Sequence, residues 1–311
     1  MPEWFIPFLL SVVTASTPFV FAGIGELVVE KSGVLNLGVE GMMIVGAVSA
    51  FAVGVTTGSG ALAVLTGAFA GAAMALIFGV LTLYLLSNQV ATGLALTLFG
   101  LGLSALMGHG MVGKTFAGLP HLEFPLLEQI PVIGPLIGTL LLGHDVLVYF
   151  SVVLMIAVGW FLNKSRAGMV LRAVGENHNA AHSIGYPVNL VRLLAVLFGG
   201  AMAGLGGAYL SLVHTPLWVE NMTAGRGWIA LALVVFASWR PARVFVGAYL
   251  FGGLTIMQLH AQGLGIEIPP QVLAMAPYLA TILVLVIISR DSALIRLNAP
   301  ACLGKSFHAT G

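Results

Sequence analysis

The chain has 311 residues, of which 59% are hydrophobic and only 7% are charged, and its formal net charge is +1. Soluble domains carry about 25% charged residues, so this composition excludes a water-soluble globular protein and gives no electrostatic basis for binding nucleic acid. The single cysteine, Cys302, excludes a disulfide framework and a cysteine-based metal site.

Nine apolar segments are long enough, or nearly so, to cross a bilayer. A hydrocarbon core of about 30 Å takes roughly 20 apolar residues, and helices satisfy their own backbone hydrogen bonds in lipid. In chain order the predicted spans are 5–23, 41–57, 61–86, 90–107, 145–162, 192–213, 228–239, 244–260 and 272–289. The seventh span is short, so eight or ten spans are the alternatives. The predicted fold is an all-α polytopic membrane protein with one transmembrane domain, 1–311.

Basic residues are distributed unevenly about these spans. With the N-terminus outside, ten of the twelve lysines and arginines lie on the cytoplasmic side, and only Lys114 and Arg226 remain outside. Cytoplasmic flanks of membrane helices are enriched in Lys and Arg. We therefore predict that the N-terminus lies outside and the C-terminus in the cytoplasm.

Four short sequence matches recur at an almost constant offset. The matching pairs are 22–25 with 203–206, 40–42 with 226–228, 67–69 with 247–249, and 89–90 with 271–272, at offsets of 181, 186, 180 and 182. Spans 1–4 then correspond to spans 6–9, and a shift of five spans reverses orientation, which predicts an inverted repeat. The predicted parts are repeat A at 5–107, span five at 145–162, a loop at 163–191, repeat B at 192–289 and a cytoplasmic tail at 290–311.

Segment 25–46 has the composition of a transport site. It holds three of the eleven carboxylates and is interrupted by glycines, and glycine-interrupted segments at matching places in two halves indicate such sites. Asn36 and Glu40 lie four residues apart and would share a helix face. For these two, a functional role and a role in capping the bundle are both open. The other charged residues of the segment are interpreted as a solvated cytoplasmic loop: Glu26, Glu30 and Lys31.

Segment 163–191 is the most polar region of the chain. Within it, residues 179–184 are predicted to form a short helix that stops at Gly185 and Pro187. A basic loop often reflects only the charge bias of cytoplasmic loops. The mixture of small residues, Gly and Pro in this one indicates a shaped docking surface.

Two stretches resemble the signatures of one family. Residues 30–43 read Glu-Lys-Ser-Gly-Val-Leu-Asn-Leu-Gly-Val-Glu-Gly-Met-Met, and residues 171–177 read Leu-Arg-Ala-Val-Gly-Glu-Asn. Both resemble ABC-importer permeases that serve branched-chain amino acids, ribose and other simple sugars, and nucleosides. The form of the first stretch, with the run 88–93, is most similar to the nucleoside and simple-sugar branch.

This resemblance implies a transport subunit for a small polar solute, a nucleoside or simple sugar, with a fold like that of the vitamin B12 importer permease. It implies a second permease subunit in a homo- or heterodimer, cytoplasmic ABC ATPases, an extracytoplasmic binding protein and surrounding membrane lipid. It also implies that the chain spans the bacterial cytoplasmic (inner) membrane several times. The chain itself would bind no cofactor, because the partner ATPase would use ATP and Mg²⁺. The residues assigned to ATPase coupling are Arg172, Gly175, Glu176 and Gly185. Those proposed for the substrate path are Asn36, Glu40, Asn88, Gln89 and Trp228.

Other functions fit the sequence less well. Residues 304–306, Gly-Lys-Ser, resemble the end of a P-loop, but Ala299 stands where the first glycine is required; we predict no ATPase site and no enzyme. The alternative is an ion-coupled secondary transporter or channel. Ion coupling usually leaves carboxylates or His inside spans, and only Glu40 and His260 lie near enough. No metal site is predicted in the outer loop 108–144, which lacks metal-ligand spacing.

Small residues four apart occur in two of the predicted spans. Residues 67–71 and 200–204 each begin and end with glycine. Such small-xxx-small motifs predict close helix packing rather than a binding site.

Overall fold

The computed structural model describes residues 4–120, 143–263 and 298–308, and scattered positions between 269 and 286. These residues form helices and an isolated β-bridge between Thr115 and Leu217. The helices are α1 Phe5–Lys31, α2 Val39–Thr57, α3 Gly60–Gly79 with a π-helical extension Val80–Tyr84, α4 Gln89–Gly108, α5 Val146–Lys164, α6 Arg166–Glu176, α7 His178–Ser183, α8 Val188–Tyr209 with a π-helical extension Leu210–His214, α9 Arg226–Phe236 and α10 Pro241–Gly263. The predicted all-α polytopic class is confirmed.

In the described part of the chain, seven helices are long and apolar enough to cross a membrane: α1–α5, α8 and α10. Helix α9 has 11 residues and rises about 16 Å, roughly half of a 30 Å hydrocarbon core. The seventh predicted span is therefore a half-length helix. Only scattered positions of the ninth predicted span, 272–289, are among the described residues, so that prediction lies largely outside them.

Helix α1 continues eight residues beyond the predicted end of the first span, to Lys31. The interpretation of Glu26 and Glu30 as solvated loop residues is wrong, because their side chains are 1% and 0% exposed. Glu30 Oε2 accepts a hydrogen bond of 2.5 Å from the indole of Trp239. Glu26 Oε1 accepts one of 3.4 Å from the backbone of Asn36. The second carboxyl oxygen of each residue is buried without a hydrogen-bond partner among the described residues, so the protein supplies only part of the hydrogen bonding that water would provide.

The two small-residue motifs pack directly against each other, where α3 crosses α8. A Cβ at Gly71 would lie 2.1 Å from the carbonyl oxygen of Gly200, and a Cβ at Gly204 would lie 2.2 Å from that of Gly67. Side chains cannot occupy such distances, so only glycine allows this approach. The prediction of close helix packing is confirmed.

Contacts between α1 and α8 follow the repeat. A Cβ at Gly25 would lie 3.0 Å from the carbonyl oxygen of Gly199, and one at Gly206 would lie 2.9 Å from that of Pro18. The offset of 181 carries Gly25 onto Gly206 and Pro18 onto Gly199, so it exchanges the two contacts. A twofold axis between the two helices would exchange the contacts in this way, and the inverted repeat stays a prediction.

Candidate functional site

Glu40, in the first turn of α2, holds the start of the half-length helix α9. Its side chain is 2% exposed, and its carboxylate accepts three hydrogen bonds. The donors are Thr223 Oγ1 at 2.5 Å, Gly225 N at 2.9 Å and Gly227 N at 2.6 Å. The first amides of a helix have no partner within it and carry the positive end of its dipole. The carboxylate therefore satisfies these amides and neutralises their charge.

These four residues, Glu40, Thr223, Gly225 and Gly227, are called the Glu40 junction below. A Cβ at Gly227 would lie 2.7 Å from both Cα and N of Glu40, so the N-terminal ends of α2 and α9 touch. Gly225 has φ +82°, a conformation that glycine adopts without strain. Transporters commonly direct the N-terminus of a broken helix at an anionic group of the substrate. In the Glu40 junction a protein carboxylate holds that position.

The loop between α1 and α2 is held by two further predicted residues. Asn36, fully buried, accepts a hydrogen bond from Gly38 N at 3.0 Å and donates to Met42 Sδ at 3.4 Å. Gln89 Oε1 accepts from Leu35 N at 2.8 Å, and Gln89 Nε2 is buried without a partner. Asn36 and Gln89 thus shape the same loop, which leads directly into the Glu40 junction.

The other two residues predicted for the substrate path have exposed side chains. Asn88 caps α4 by accepting a hydrogen bond of 3.0 Å from Ala91 N. Trp228, in the first turn of α9, is 44% exposed. Four of the five side chains make hydrogen bonds within the chain, that of Trp228 being the exception in what is described, and the place of all five on a substrate path stays a prediction.

The predicted docking segment folds as two short helices, α6 and α7. Ser165 Oγ accepts from Gly168 N at 2.9 Å at the start of α6, and Asn177 Oδ1 accepts from Ala180 N at 3.0 Å at the start of α7. Helix α7 agrees with the short helix predicted from the sequence, and it ends before Gly185, where φ is +93°. Helix α6 was not predicted. Its signal is the apolar or small residue that recurs every three or four positions on the buried face: Gly168, Leu171 and Gly175.

The four residues assigned to ATPase coupling lie in different environments. Gly175 is buried, because a Cβ there would lie 2.2 Å from the carbonyl oxygen of Lys31. Arg172 is half-buried, and its Nε has no partner in the part of the chain that the structure describes. Glu176 is exposed, and in the same part of the chain no atom lies within 4 Å of a Cβ built on Gly185. Gly175 therefore fixes α6 to the bundle, whereas Gly185 lies on an open surface.

Arg192, near the start of α8, joins three distant parts of the chain, although its side chain is fully buried. Its Nε donates to Ser32 O at 3.1 Å, its Nη1 donates to Lys305 O at 3.0 Å, and its Nη2 lies 3.1 Å from His178 Nδ1. A guanidinium only donates, so His178 Nδ1 accepts and its ring is neutral. Arg192, Ser32, His178 and Lys305 are called the Arg192 junction below.

The C-terminal segment packs on α6 and α7, a contact that sequence reasoning missed. Cys302 N donates to Gly175 O at 2.9 Å, and Gly304 N donates to Gly33 O at 3.1 Å. The ring of Phe307 lies 5.3 Å from that of His178 and is buried. The sequence signal for this contact was an apolar aromatic residue, Phe307, within the predicted cytoplasmic tail. The described residues 298–308 thus brace the docking segment.

Burial of His178 predicts a pH dependence of stability. Burial, followed by the charges of Arg192 and Lys305, lowers the pKa of His178 below its usual value of 6.5. Below about pH 6.5 the unfolded chain then binds more protons than the folded one, so the free energy of unfolding decreases as pH falls. We expect the thermal unfolding midpoint in detergent to drop between pH 7 and 5, and to drop less in His178→Asn. His182→Asn, at an exposed position on the same helix, is the control, and an equal drop in all three proteins would contradict the assignment.

Comparison with known proteins agrees with both signature stretches. Residues 8–288 match the family described as branched-chain amino acid transport system / permease component. A putative glucose ABC transporter permease of Haloferax volcanii is 42% identical, over 96% of this chain and 97% of its own length. A nucleoside ABC transporter permease of Lactococcus lactis is 35% identical over 87% and 88%, and a guanosine ABC transporter permease of Bacillus subtilis is 30% identical over 89% and 92%. The resemblance to the sugar and nucleoside branch is confirmed, and the chain belongs to the family of branched-chain amino acid transport permease components.

Proposed function

We propose that this chain forms the translocation path of an ATP-driven importer for a nucleoside or simple sugar. The observation that carries the proposal is the pair of helices α6 and α7 in a chain of this family. They are capped at both starts, fixed to the bundle through Gly175, and open at Gly185. A helix pair that is fixed to the bundle and exposed at one end suits the transmission of force from a separate ATPase, because it moves as a unit with the spans.

The partners follow from this role. A cytoplasmic ABC ATPase docks at α7 and uses ATP and Mg²⁺, a second permease subunit completes the path, and an extracytoplasmic protein delivers the solute. This arrangement requires α7 and the segment 298–308 to lie in the cytoplasm and the N-terminus outside. The basic residues near α6 support that orientation, since Lys and Arg concentrate on the cytoplasmic side.

The substrate class is proposed from the relatives, whose names include glucose, nucleoside and guanosine. The test is reconstitution of the chain with its co-expressed ATPase and binding protein in liposomes. We expect transport of radiolabelled guanosine or glucose that requires ATP on the side of the liposome membrane where the ATPase lies. Uptake by the chain alone, driven by a proton gradient, would overturn the proposal in favour of an ion-coupled transporter.

The ion-coupled alternative gains one observation from the structure. The sequence argument against it counted few buried acidic residues, but Glu26 and Glu30 are buried as well, and one oxygen of each has no partner. Comparing uptake with ATP alone and with a proton gradient alone therefore separates the two functions directly.

Substitution of Gly185 tests the docking surface. Because φ is +93°, an L-residue there costs roughly 1–2 kcal/mol, but no neighbouring atom obstructs its side chain. We expect Gly185→Trp to fold and to lose ATPase assembly at least tenfold, which corresponds to about 1.4 kcal/mol. Gly185→Asn, which tolerates the left-handed conformation and is small, should assemble nearly normally. Full ATP-dependent uptake by Gly185→Trp would show that α7 is not the docking surface.

A further inference from the structure

A groove of about 460 Å³ opens between α5 and the start of α10. One end is lined by three cationic side chains, and the other end is apolar. The cations come from three separate elements: Lys31 ends α1, Arg172 lies on α6, and Arg240 precedes α10. The groove is thus a composite site that only the folded chain assembles.

The cationic end of the groove has hydrogen-bond donors that could bind an anion. Arg172 Nε is buried and has no hydrogen-bond partner among the described residues. Lys31 Nζ donates to Asn298 O at 2.7 Å, but an ammonium has three donors. Lys31 lies within electrostatic reach of both Arg172 and Arg240, and of the carboxylates of Glu30 and Glu176. An anion placed between the three cations would relieve their repulsion.

The apolar end follows α5 into the membrane-spanning part of the chain. It is lined by Met155, Ile156 and Gly159, and Ile156 is 61% exposed. From Met155 to Asn163, at the polar end, the helix rises about 12 Å. Among the described residues, the one atom within 4 Å of a Cβ built on Gly159 is Pro241 Cβ, at 3.9 Å, so the groove has space beside Gly159.

We propose that this groove binds an anionic phospholipid, with its phosphate between Lys31, Arg172 and Arg240 and an acyl chain along α5. Basic pockets between membrane helices on the cytoplasmic side are suited to acidic head groups, and the apolar trough favours a lipid over a free phosphate. Only the choice of leaflet rests on the proposed orientation. Binding in detergent does not depend on orientation or on transport, so its failure is distinguishable from failure of the proposed function.

The first test measures lipid affinity of the full chain in a neutral detergent. Fluorescent phosphatidylglycerol is expected to bind more tightly than phosphatidylcholine with the same acyl chains, and Arg172→Gln and Arg240→Gln are each expected to weaken it about fivefold. Arg243→Gln, exposed and outside the groove, is the control and should bind normally. Equal affinity for the two lipids, or the same loss in Arg243→Gln, would overturn the proposal.

The second test blocks the apolar trough without changing charge. Gly159→Leu should weaken phosphatidylglycerol binding at least as much as loss of one cation. Gly102→Leu should not, because Gly102 lies outside the groove and a Cβ built there meets no described residue within 4 Å. Inorganic phosphate should fail to displace the lipid at millimolar concentration. Displacement by phosphate, or unchanged binding in Gly159→Leu, would show that a free anion alone fits the site and would overturn the lipid assignment.

Discussion

Replacing Glu40 with alanine is expected to prevent stable folding of the bundle around α9. The substitution leaves Thr223 Oγ1, Gly225 N and Gly227 N without their acceptor. Buried donors without partners cost about 1–3 kcal/mol each, so the loss of three acceptor contacts costs roughly 3–9 kcal/mol, comparable with the whole stability of many domains. We expect a large fall in the yield of monodisperse protein and in its thermal unfolding midpoint in detergent.

Two variants separate this explanation from a general effect of losing a carboxylate. Glu40→Gln keeps the shape and one acceptor oxygen, so it should fall between wild type and Glu40→Ala. Glu220→Ala removes an exposed carboxylate from the loop that precedes α9 and should unfold like wild type. If Glu40→Ala retained the wild-type midpoint, the hydrogen bonds of the Glu40 junction would not stabilise the fold.

Replacing Arg192 with alanine is expected to release the C-terminal segment, residues 298–308, from helices α6 and α7. Ser32 O, Lys305 O and His178 Nδ1 would all lose their donor, at a cost of about 3 kcal/mol or more. Arg192→Lys should not restore the contacts, because one ammonium cannot reach three acceptors that the planar guanidinium reaches in different directions. The measurements are the thermal midpoint and the rate of proteolysis after Lys305.

Truncation after residue 297 provides an independent check of the Arg192 junction. Without Lys305 one of the three acceptors is already absent, so Arg192→Ala should cost less in the truncated chain than in the full one. Such non-additivity is the signature of direct contact. Arg243→Ala, at an exposed position, should add the same small effect in both backgrounds. Strict additivity for Arg192→Ala would mean that the tail and Arg192 stabilise the protein separately.

Periodic and local features of the fold were predictable from the sequence. Apolar runs located the long spans, because lipid requires each helix to satisfy its own backbone. The glycines of 67–71 and 200–204 predicted close packing, which α3 and α8 show. The short helix before Gly185 was predictable because a left-handed glycine ends helices locally. These features depend only on residues that are close in sequence or on whether the surroundings are lipid or water.

The environment of the charged residues was not predictable in the same way. Glu26 and Glu30 were interpreted as solvated, because the sequence does not show that Trp239 and Asn36 lie beside them. In the sequence, Arg192 was one of ten basic residues assigned to the cytoplasmic side, and nothing indicated that its side chain is fully buried. Polar partners stabilise a charge that is buried away from water, and several of these partners lie far away in sequence, such as Trp239 for Glu30 and Lys305 for Arg192.

By itself, the sequence determined that this chain is a helical membrane protein, a permease by its two signature stretches, with an inverted repeat suggested by the offset near 181. Tertiary structure alone decided that α9 is a half-length helix capped by Glu40, and that residues 298–308 brace α6 and α7 through Arg192. The physical reason is the sequence separation over which each kind of interaction acts. Hydrophobic periodicity and turn chemistry act within a few residues, whereas a buried charge is placed by hydrogen bonds that span more than a hundred residues, such as those from Glu40 to Gly227 and from Arg192 to Lys305.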